Sequence, residues 1–282
     1  MEIYKSREQV NNRINQLKQQ GKIIGFVPTM GALHQGHLSL IRCSKKQDDI
    51  TVVSIFVNPT QFNDPKDLER YPRMLDKDIE KLENENVDIL FAPDEKEMYP
   101  EPDTRVFDFG YLDKILEGKY RPGHFNGVAQ IVSKLFQTIP AHHAYFGKKD
   151  YQQYLIVKQL VEKYMPELNI EIIPCPIIRE PDGLAMSSRN LLLTPDQRKS
   201  ATLISQTLFK AKQMAQNSSV DQVKNFVINT INKDPNLNVE YFEICDAQSL
   251  KPINNWNEAP HVIGLIAVYD GPIRLIDNIE FF

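Results

Sequence analysis

A chain of 282 residues, 41% of them hydrophobic and 25% charged, has the make-up of a folded protein with a sizeable core, enough for one large domain or two ordinary ones. Its net charge of −4 argues against a broad basic surface for nucleic acid, and no apolar run approaches the roughly 20 residues that a membrane helix needs. The first ten residues, MEIYKSREQV, lack the apolar core of a secretory signal, and Cys43, Cys175 and Cys245 are too scattered for a disulfide framework or a metal knuckle, so a reducing cytoplasm is the expected setting.

In chain order, Ser6-Arg7-Glu8-Gln9 has the form of a capping box. It opens a helix whose apolar face carries Val10, Ile14 and Leu17, with Gly21 as its stop. Residues 22–27 read as a short apolar strand, 37–46 as a helix through Leu38, Leu40 and Ile41, and 50–57 as a second strand rich in β-branched residues. Strand, helix and strand in this order predict a parallel βαβ unit. The alternation continues with a helix through Leu75, Ile79 and Leu82, a strand over 87–91, a helix over 128–136, a strand over 144–146, a helix over 151–163 and a strand over 170–173. Such alternation predicts a doubly wound α/β domain over residues 1–180. The pattern then changes. Thr194-Pro195-Asp196-Gln197 starts a helix that runs to about residue 216, a second helix starts at 219–222, and strand-like stretches follow at 239–245, 262–269 and 273–276. Helices followed by strands predict a smaller α+β domain over residues 181–282, with Trp256 packed inside it.

Five segments carry chemistry. The first, Pro28-Thr29-Met30-Gly31-Ala32-Leu33-His34-Gln35-Gly36-His37, lies between the first strand of the βαβ unit and its helix, where α/β sheets bind nucleotides. Gly31 and Gly36 let the backbone approach phosphate, the helix terminus offers free N–H groups, and His34 and His37, three apart, face one side and can donate to phosphate oxygens. The Gly31-x4-Gly36 spacing mimics a phosphate-binding P-loop, but His37-Leu38 stands where that loop needs Lys-Ser/Thr. The second, Met186-Ser187-Ser188-Arg189-Asn190, offers hydroxyls and a guanidinium to a triphosphate, although its composition is also that of an ordinary loop. The third, Gly147-Lys148-Lys149-Asp150-Tyr151-Gln152-Gln153, suits phosphate through its glycine and lysines. In it, Asp150 is placed to orient a magnesium ion or an ATP group, and Gln153 sits about one helical turn further on. A charged helix start would look the same. The fourth, residues 57–62, presents Gln61 with a donor and an acceptor for a hydroxy acid, or is a plain strand-ending turn. The fifth, residues 116–128, is dense in Gly, His and Arg ahead of a helix; His124 taken alone reads as structural.

The His34-Gln35-Gly36-His37 unit resembles the HIGH box of class I aminoacyl-tRNA synthetases and nucleotidylyltransferases, and the Met186 segment resembles a degenerate KMSKS loop. Taken together, PTMGALHQGH, VNPTQF, YPR (Tyr71 to Arg73) with downstream Asp78, LEGKYRPGHFNGV, YFGKKDYQQ and REPDGLAMSSRN resemble the pantothenate synthetase family of pantoate–β-alanine ligases, within the HIGH-motif superfamily. The resemblance implies a Rossmann-like first domain, a smaller second domain closing over the ATP site, and a cytoplasmic homodimer. It also implies a two-step reaction: D-pantoate and ATP give pantoyl-adenylate and pyrophosphate, and β-alanine then gives pantothenate and AMP, with Mg2+ bound through the ATP phosphates. Carried over position by position, Met30, Gly31, His34, Gly36, His37, Gly147, Lys148, Lys149, Asp150, Ile178, Met186, Ser187, Ser188 and Arg189 contact ATP. His37 is the expected proton donor and Lys149 stabilises the pentavalent phosphorus. Gln61 and Gln153 hold pantoate, Gln61 also lying near β-alanine. Asn58, Tyr71, Asp78, Glu117 and Arg121 line or support the cavity. Lys77 stands beside Asp78 where some members carry a second acid, which disfavours a metal-binding carboxylate pair; any magnesium contact would come near Asp78 or Asp150. Two alternatives are a superfamily member that adenylates another small acid and a non-catalytic ATP-sensing module. Neither nucleic acid nor membrane is an expected partner.

Overall fold

Strand-length apolar runs in the first 176 residues assemble into a single parallel sheet, described together with the rest of residues 1–282 in a computed structural model. Its elements are β1 (Glu2–Tyr4), α1 (Arg7–Gln19), β2 (Ile24–Thr29), α2 (Gln35–Gln47), β3 (Ile50–Ile55), α3 (Pro65–Arg70), α4 (Leu75–Asn84), β4 (Ile89–Phe91), α5 (Glu95–Met98), α6 (Glu117–Tyr120), α7 (His124–Thr138), β5 (His143–Gly147), α8 (Tyr151–Tyr164) and β6 (Glu171–Cys175). The strand order is β1-β4-β3-β2-β5-β6, and every neighbouring pair is parallel. The chain runs outward from β2 through β3 to β4, then returns to the other side of β2 for β5 and β6. The order therefore reverses between β2 and β5, which makes their carboxyl ends the topological switch point of a Rossmann-like sheet.

Both faces of the sheet are covered, so its central strands read as nearly continuous apolar runs. Alternate residues of β2 point to opposite sides. Phe26 packs with Val10 and Ile14 of α1 and meets Phe136 of α7 edge-on at 6.3 Å. Val27 packs with Leu38 and Ile41 of α2 and Leu82 of α4. Each such aliphatic or aromatic side chain, fully buried, contributes about 1.5–3 kcal/mol of transfer free energy.

The second unit comprises residues 149–151 and 177–282. It contains α9 (Pro195–Met214), α10 (Val220–Ile231) and the antiparallel strands β7 (Leu237–Asp246), β8 (Val262–Asp270) and β9 (Ile273–Glu280), ordered β7-β8-β9. Both helices start on full capping boxes: Thr194 with Gln197, and Ser219 with Gln222. Ile204 and Leu208 of α9 and Val223 and Val227 of α10 pack against Ile244 and Ile266 of the sheet. Trp256 packs on Phe281 and donates its indole N–H to the Ser218 carbonyl at 2.8 Å.

Several local readings need correction. Ser6 occupies the N-cap of α1, but its side chain makes no capping bond, so the expected box is absent. The strand β1 is only three residues long, carries no alternation and is fixed by pairing with β4. Helix α7 starts at His124 rather than 128, because Gly123 (φ +81°) turns the chain directly into it. Gly21 (φ +78°) does follow the end of α1, as its sequence position predicts.

Candidate active site

The loop leaving β2 at the switch point is shaped by backbone that glycine tolerates and by one buried carboxylate. Thr29 donates its hydroxyl to the Ser54 carbonyl at 2.8 Å and accepts from the Gly31 amide at 3.2 Å. Gly31 adopts φ +80°, and a Cβ there would lie 3.0 Å from Ile55 and 3.1 Å from the Asp78 carboxylate. Asp78, fully buried on α4, accepts from the Ala32 and Leu33 amides, each at 2.8 Å. Lys81, one turn further along α4, donates to the Leu33 carbonyl at 2.6 Å. Burial pushes the Asp78 carboxyl above its ordinary range, opposed by those two amides and by Lys81. Asp78 is thus a loop anchor. Each of its oxygens is already engaged by a backbone amide, which makes holding the loop its evident structural task.

The loop delivers His34 and His37 to the first turn of α2. His34 is the N-cap, and its Nδ1 accepts from the Gly36 amide at 3.1 Å, while Nδ1 of His37 accepts from the His34 amide at 3.3 Å. The two rings lie 4.0 Å apart between centroids. An Nδ1 that accepts carries no proton, so each neutral ring holds its proton on Nε2. Two Nε2–H donors at a helix N-terminus form an arrangement suited to phosphate oxygens.

Asn58, buried at the end of the β3 strand run, organises the next segment. It donates to the Gly127 carbonyl and to Gln61 Oε1, each at 3.1 Å, and accepts from the Tyr99 hydroxyl at 2.7 Å. Gln61 in turn donates to the Met30 sulfur at 3.0 Å, which links this segment to the histidine loop. His124 is buried, with Nδ1 2.8 Å from the Gln61 carbonyl and Nε2 3.1 Å from the Arg121 guanidinium. Because arginine can only donate, Nε2 accepts and Nδ1 holds the proton, the tautomer opposite to that of His34 and His37. Arg121 pairs with Glu117 at 3.4 Å. Tyr71 is buried edge-on to Phe62 at 5.6 Å.

At the end of β5, Gly147 leads through a single turn over Lys148–Asp150 into α8, where Gln153 is half-buried. In the second unit, the Lys149 ammonium lies 3.8 Å from the Asp150 carboxylate, and the Lys149 carbonyl accepts from Asn278 Nδ2 at 3.0 Å. The Met186 amide donates to the Ile178 carbonyl at 3.0 Å, and Arg179 bridges Ala185, so a short hairpin presents the following residues. Ser187 caps the turn that starts at the buried Ser188, accepting from the Arg189 amide at 3.3 Å, and Asn190 donates to the Ala185 carbonyl at 3.1 Å.

The family described as pantoate-beta-alanine ligase matches residues 2–280. The chain belongs to that family. It is 50% identical to a pantothenate synthetase of Bacteroides fragilis over 281 residues, which cover 100% of this chain and 99% of the relative. It is 47% identical to a pantothenate synthetase of Porphyromonas gingivalis with the same coverage. The solved pantothenate synthetase of Thermus thermophilus superposes with a TM-score of 0.93 at 38% identity, covering 100% of both chains. The pantoate-beta-alanine ligase of Francisella tularensis, solved with beta-gamma ATP and beta-alanine, superposes with a TM-score of 0.84 at 40% identity, covering 99% of this chain and 97% of that one.

Within this chain, Met30, Gln61 and Asn58 form one bonded group that Glu117 and Arg121 join through His124 and the Gln61 carbonyl, while Asp78 holds the backbone of the loop that runs from Met30 and Gly31 to His34, Gly36 and His37, which bond among themselves. Three contributors escaped the sequence reading. Tyr99, whose hydroxyl burial pushes up to about 12, orients Asn58. Gly127 admits the residue 59–61 turn, since a Cβ there would lie 2.3 Å from the Thr60 carbonyl. Gln152, buried, donates to the Leu112 and Ile115 carbonyls and accepts from the Glu117 amide. Gly127 and Gln152 lie inside quoted motifs, but their partners are distant; Tyr99 stands in no motif.

Proposed function

We propose that this chain joins D-pantoate to β-alanine at the expense of ATP, giving pantothenate, AMP and pyrophosphate through a pantoyl-adenylate. The observation that carries this reading is the pair of Nε2–H donors, His34 and His37, held by the first turn of α2 at the switch point. The Francisella tularensis relative, solved with beta-gamma ATP and beta-alanine, supports the substrate classes.

In the first step a pantoate carboxylate oxygen bonds to the α-phosphorus, and the bond from that phosphorus to the bridging oxygen breaks, releasing pyrophosphate. Negative charge grows on the equatorial oxygens and on the leaving group, so fixed donors accelerate the step. Met30, Gly31, Gly36 and the two histidines receive the nucleotide on one side. Gly147, Lys148, Lys149, Asp150, Ile178 and Met186, Ser187, Ser188 and Arg189 complete its contacts. Lys149 meets the charge at the pentavalent phosphorus, and the Nε2 proton of His37 serves the departing phosphate. Gln61 and Gln153 hold pantoate, and the Asn58 and Met30 bonds of Gln61 set the orientation of its amide. In the second step the β-alanine amine attacks the acyl carbon near Gln61, the bond to AMP breaks, and the nitrogen gives up a proton. Closure of the second domain over ATP would exclude the water that hydrolyses adenylates.

Magnesium enters as part of the substrate, on the ATP phosphates. With Asp78 committed to the loop, the half-exposed Asp150 carboxylate is the side chain suited to approach it. A cytoplasmic homodimer belongs to this reading as the form the resemblance implies. The three cysteines are free thiols, as a reducing compartment would keep them. No helix is long and apolar enough to cross a membrane.

The test is pyrophosphate release from ATP and magnesium with D-pantoate, with and without β-alanine. The expected result is pantoate-dependent release, with AMP and pantothenate turning over only when β-alanine is present. No release with pantoate would reject the substrate.

A further inference from the structure

We propose that Asn278 of β9, far from every sequence motif, is a positioning residue for Lys149 in adenylate formation. Its Nδ2 donates to the Lys149 carbonyl at 3.0 Å across 129 positions of sequence. Lys149, Asp150 and Tyr151 belong to the second unit, although Lys148 and Gln152 on either side belong to the first. The proposal rests on the role of Lys149 given under the proposed function.

Asn278 is itself rigidly held. It is 3% exposed, on a strand paired only on its β8 side. An outer strand leaves one row of backbone groups unpaired. Here Arg179 covers that row: it pairs with the Asp277 carboxylate through two nitrogens at 2.6 and 2.9 Å and donates to the Asn278 carbonyl at 3.3 Å. The Asn278 amide donates to Asp277 Oδ1 at 2.7 Å, and the Arg179 guanidinium lies 5.0 Å from the Phe209 ring. A forked, buried arginine–carboxylate pair is both strong and directional. The result is a fixed platform from which one amide N–H reaches the Lys149 backbone. The Arg179 that clamps Asn278 also begins the hairpin that presents Met186 to Arg189. Both ATP-handling segments of this unit therefore hang from the same stretch of β9.

Positioning is what phosphoryl transfer asks of a lysine that must meet charge present only in the transition state. Loss of the tether costs rate rather than substrate affinity. The experiment is a double-mutant cycle in the full chain, Asn278→Ala with Lys149→Ala, read by single-turnover pyrophosphate release and by the KM values for pantoate and β-alanine. In the parent background, Asn278→Ala should slow release by about 10- to 100-fold and leave both KM values within about twofold. In the Lys149→Ala background, it should change the rate by less than about twofold, because two residues acting as one unit do not add. Asn278→Leu keeps about the same size and loses the donor without adding a charge beside Asp277, so it should match Asn278→Ala, and it carries the test alone if the alanine variant does not fold. A rate within twofold of the parent, or equal fold-losses in both backgrounds, would overturn the proposal. Absence of pantoate-dependent release in the parent enzyme is a different failure: it would remove the reading of Lys149 itself, and this inference with it.

Discussion

The His34 and His37 rings both cap the first turn of α2, and the loop before them is anchored by Asp78, 46 and 45 positions from the amides whose hydrogen bonds it accepts. Lys149 is tied instead to Asn278, 129 positions away on the outer strand of another sheet. Both regions handle phosphate in the proposed reaction, yet the histidine pair is oriented by local capping within a loop that α4 anchors, whereas Lys149 hangs on a long-range tether. Local construction leaves a spacing pattern in the chain, whereas a tether leaves none. The histidine frame should therefore respond to changes in α4, and the Lys149 frame to changes in β9.

The largest expected effect comes from removing the reactive side chains. His37→Ala and Lys149→Ala should each slow single-turnover pyrophosphate release by about 100-fold or more. Their melting temperatures should stay within about 2 °C of the parent. Rates close to the parent in either variant would dissolve the comparison, since one region would then be idle.

The anchor comes next. Asp78→Ala removes the carboxylate that the buried Ala32 and Leu33 amides donate to, at a cost of about 2–4 kcal/mol, together with a loss of rate as the histidine loop loosens. Asp78→Asn keeps one acceptor oxygen and should lose less on both counts. Urea unfolding beside the pyrophosphate assay measures the two; unchanged stability in Asp78→Ala would show that the loop holds itself.

A change in the framework at the opposite end of β2 provides the contrast. A Cβ at Gly25 would lie 1.9 Å from the Asp48 carboxylate and 2.1 Å from the Ser44 hydroxyl, both part of a buried polar cluster with Tyr145. Gly25→Ala should cost about 1–3 kcal/mol while leaving kcat of the folded enzyme as it was. A fall in kcat without loss of stability would mean that this end of the sheet communicates with the histidine loop.

The smallest effect has the opposite sign. Burial and the neighbouring charge of Asp234 push the Asp270 carboxyl up to about 6, and Gln197 offsets only part of this. An unfolded aspartate titrates near 3.9. The protonated group therefore favours the fold fully below about pH 4, and that contribution is lost as pH rises through 6. Asp270→Asn should raise the melting temperature slightly at pH 7.5 and flatten its decline between pH 5 and 7.5. The same pH slope in parent and variant would place the titration elsewhere.

Much of the sheet was legible because its strands are apolar on both faces and its helices carry buried stripes such as Val10, Ile14 and Leu17. The histidine loop was legible because two glycines and two histidines fall between a strand and a helix. What escaped depends on folding partners. Three residues of β1 form a strand only beside β4, and Ser6 looks like a cap but makes no capping bond. The anchoring role of Asp78 needs its amide partners to be known, and Tyr99, Gly127 and Asn278 acquire meaning only from atoms 41, 67 or 129 positions distant.

If both regions serve formation of an acyl-adenylate, an oxygen atom passes from pantoate to AMP, and isotope transfer detects it. Pantoate labelled with 18O in its carboxylate is turned over with ATP and β-alanine, and the AMP is analysed by mass spectrometry. Attack of the carboxylate on the α-phosphorus predicts one 18O in the phosphoryl group of each AMP formed. AMP without label, with 18O recovered in pyrophosphate or phosphate, would contradict the account, because the carboxylate would then have attacked a different phosphorus.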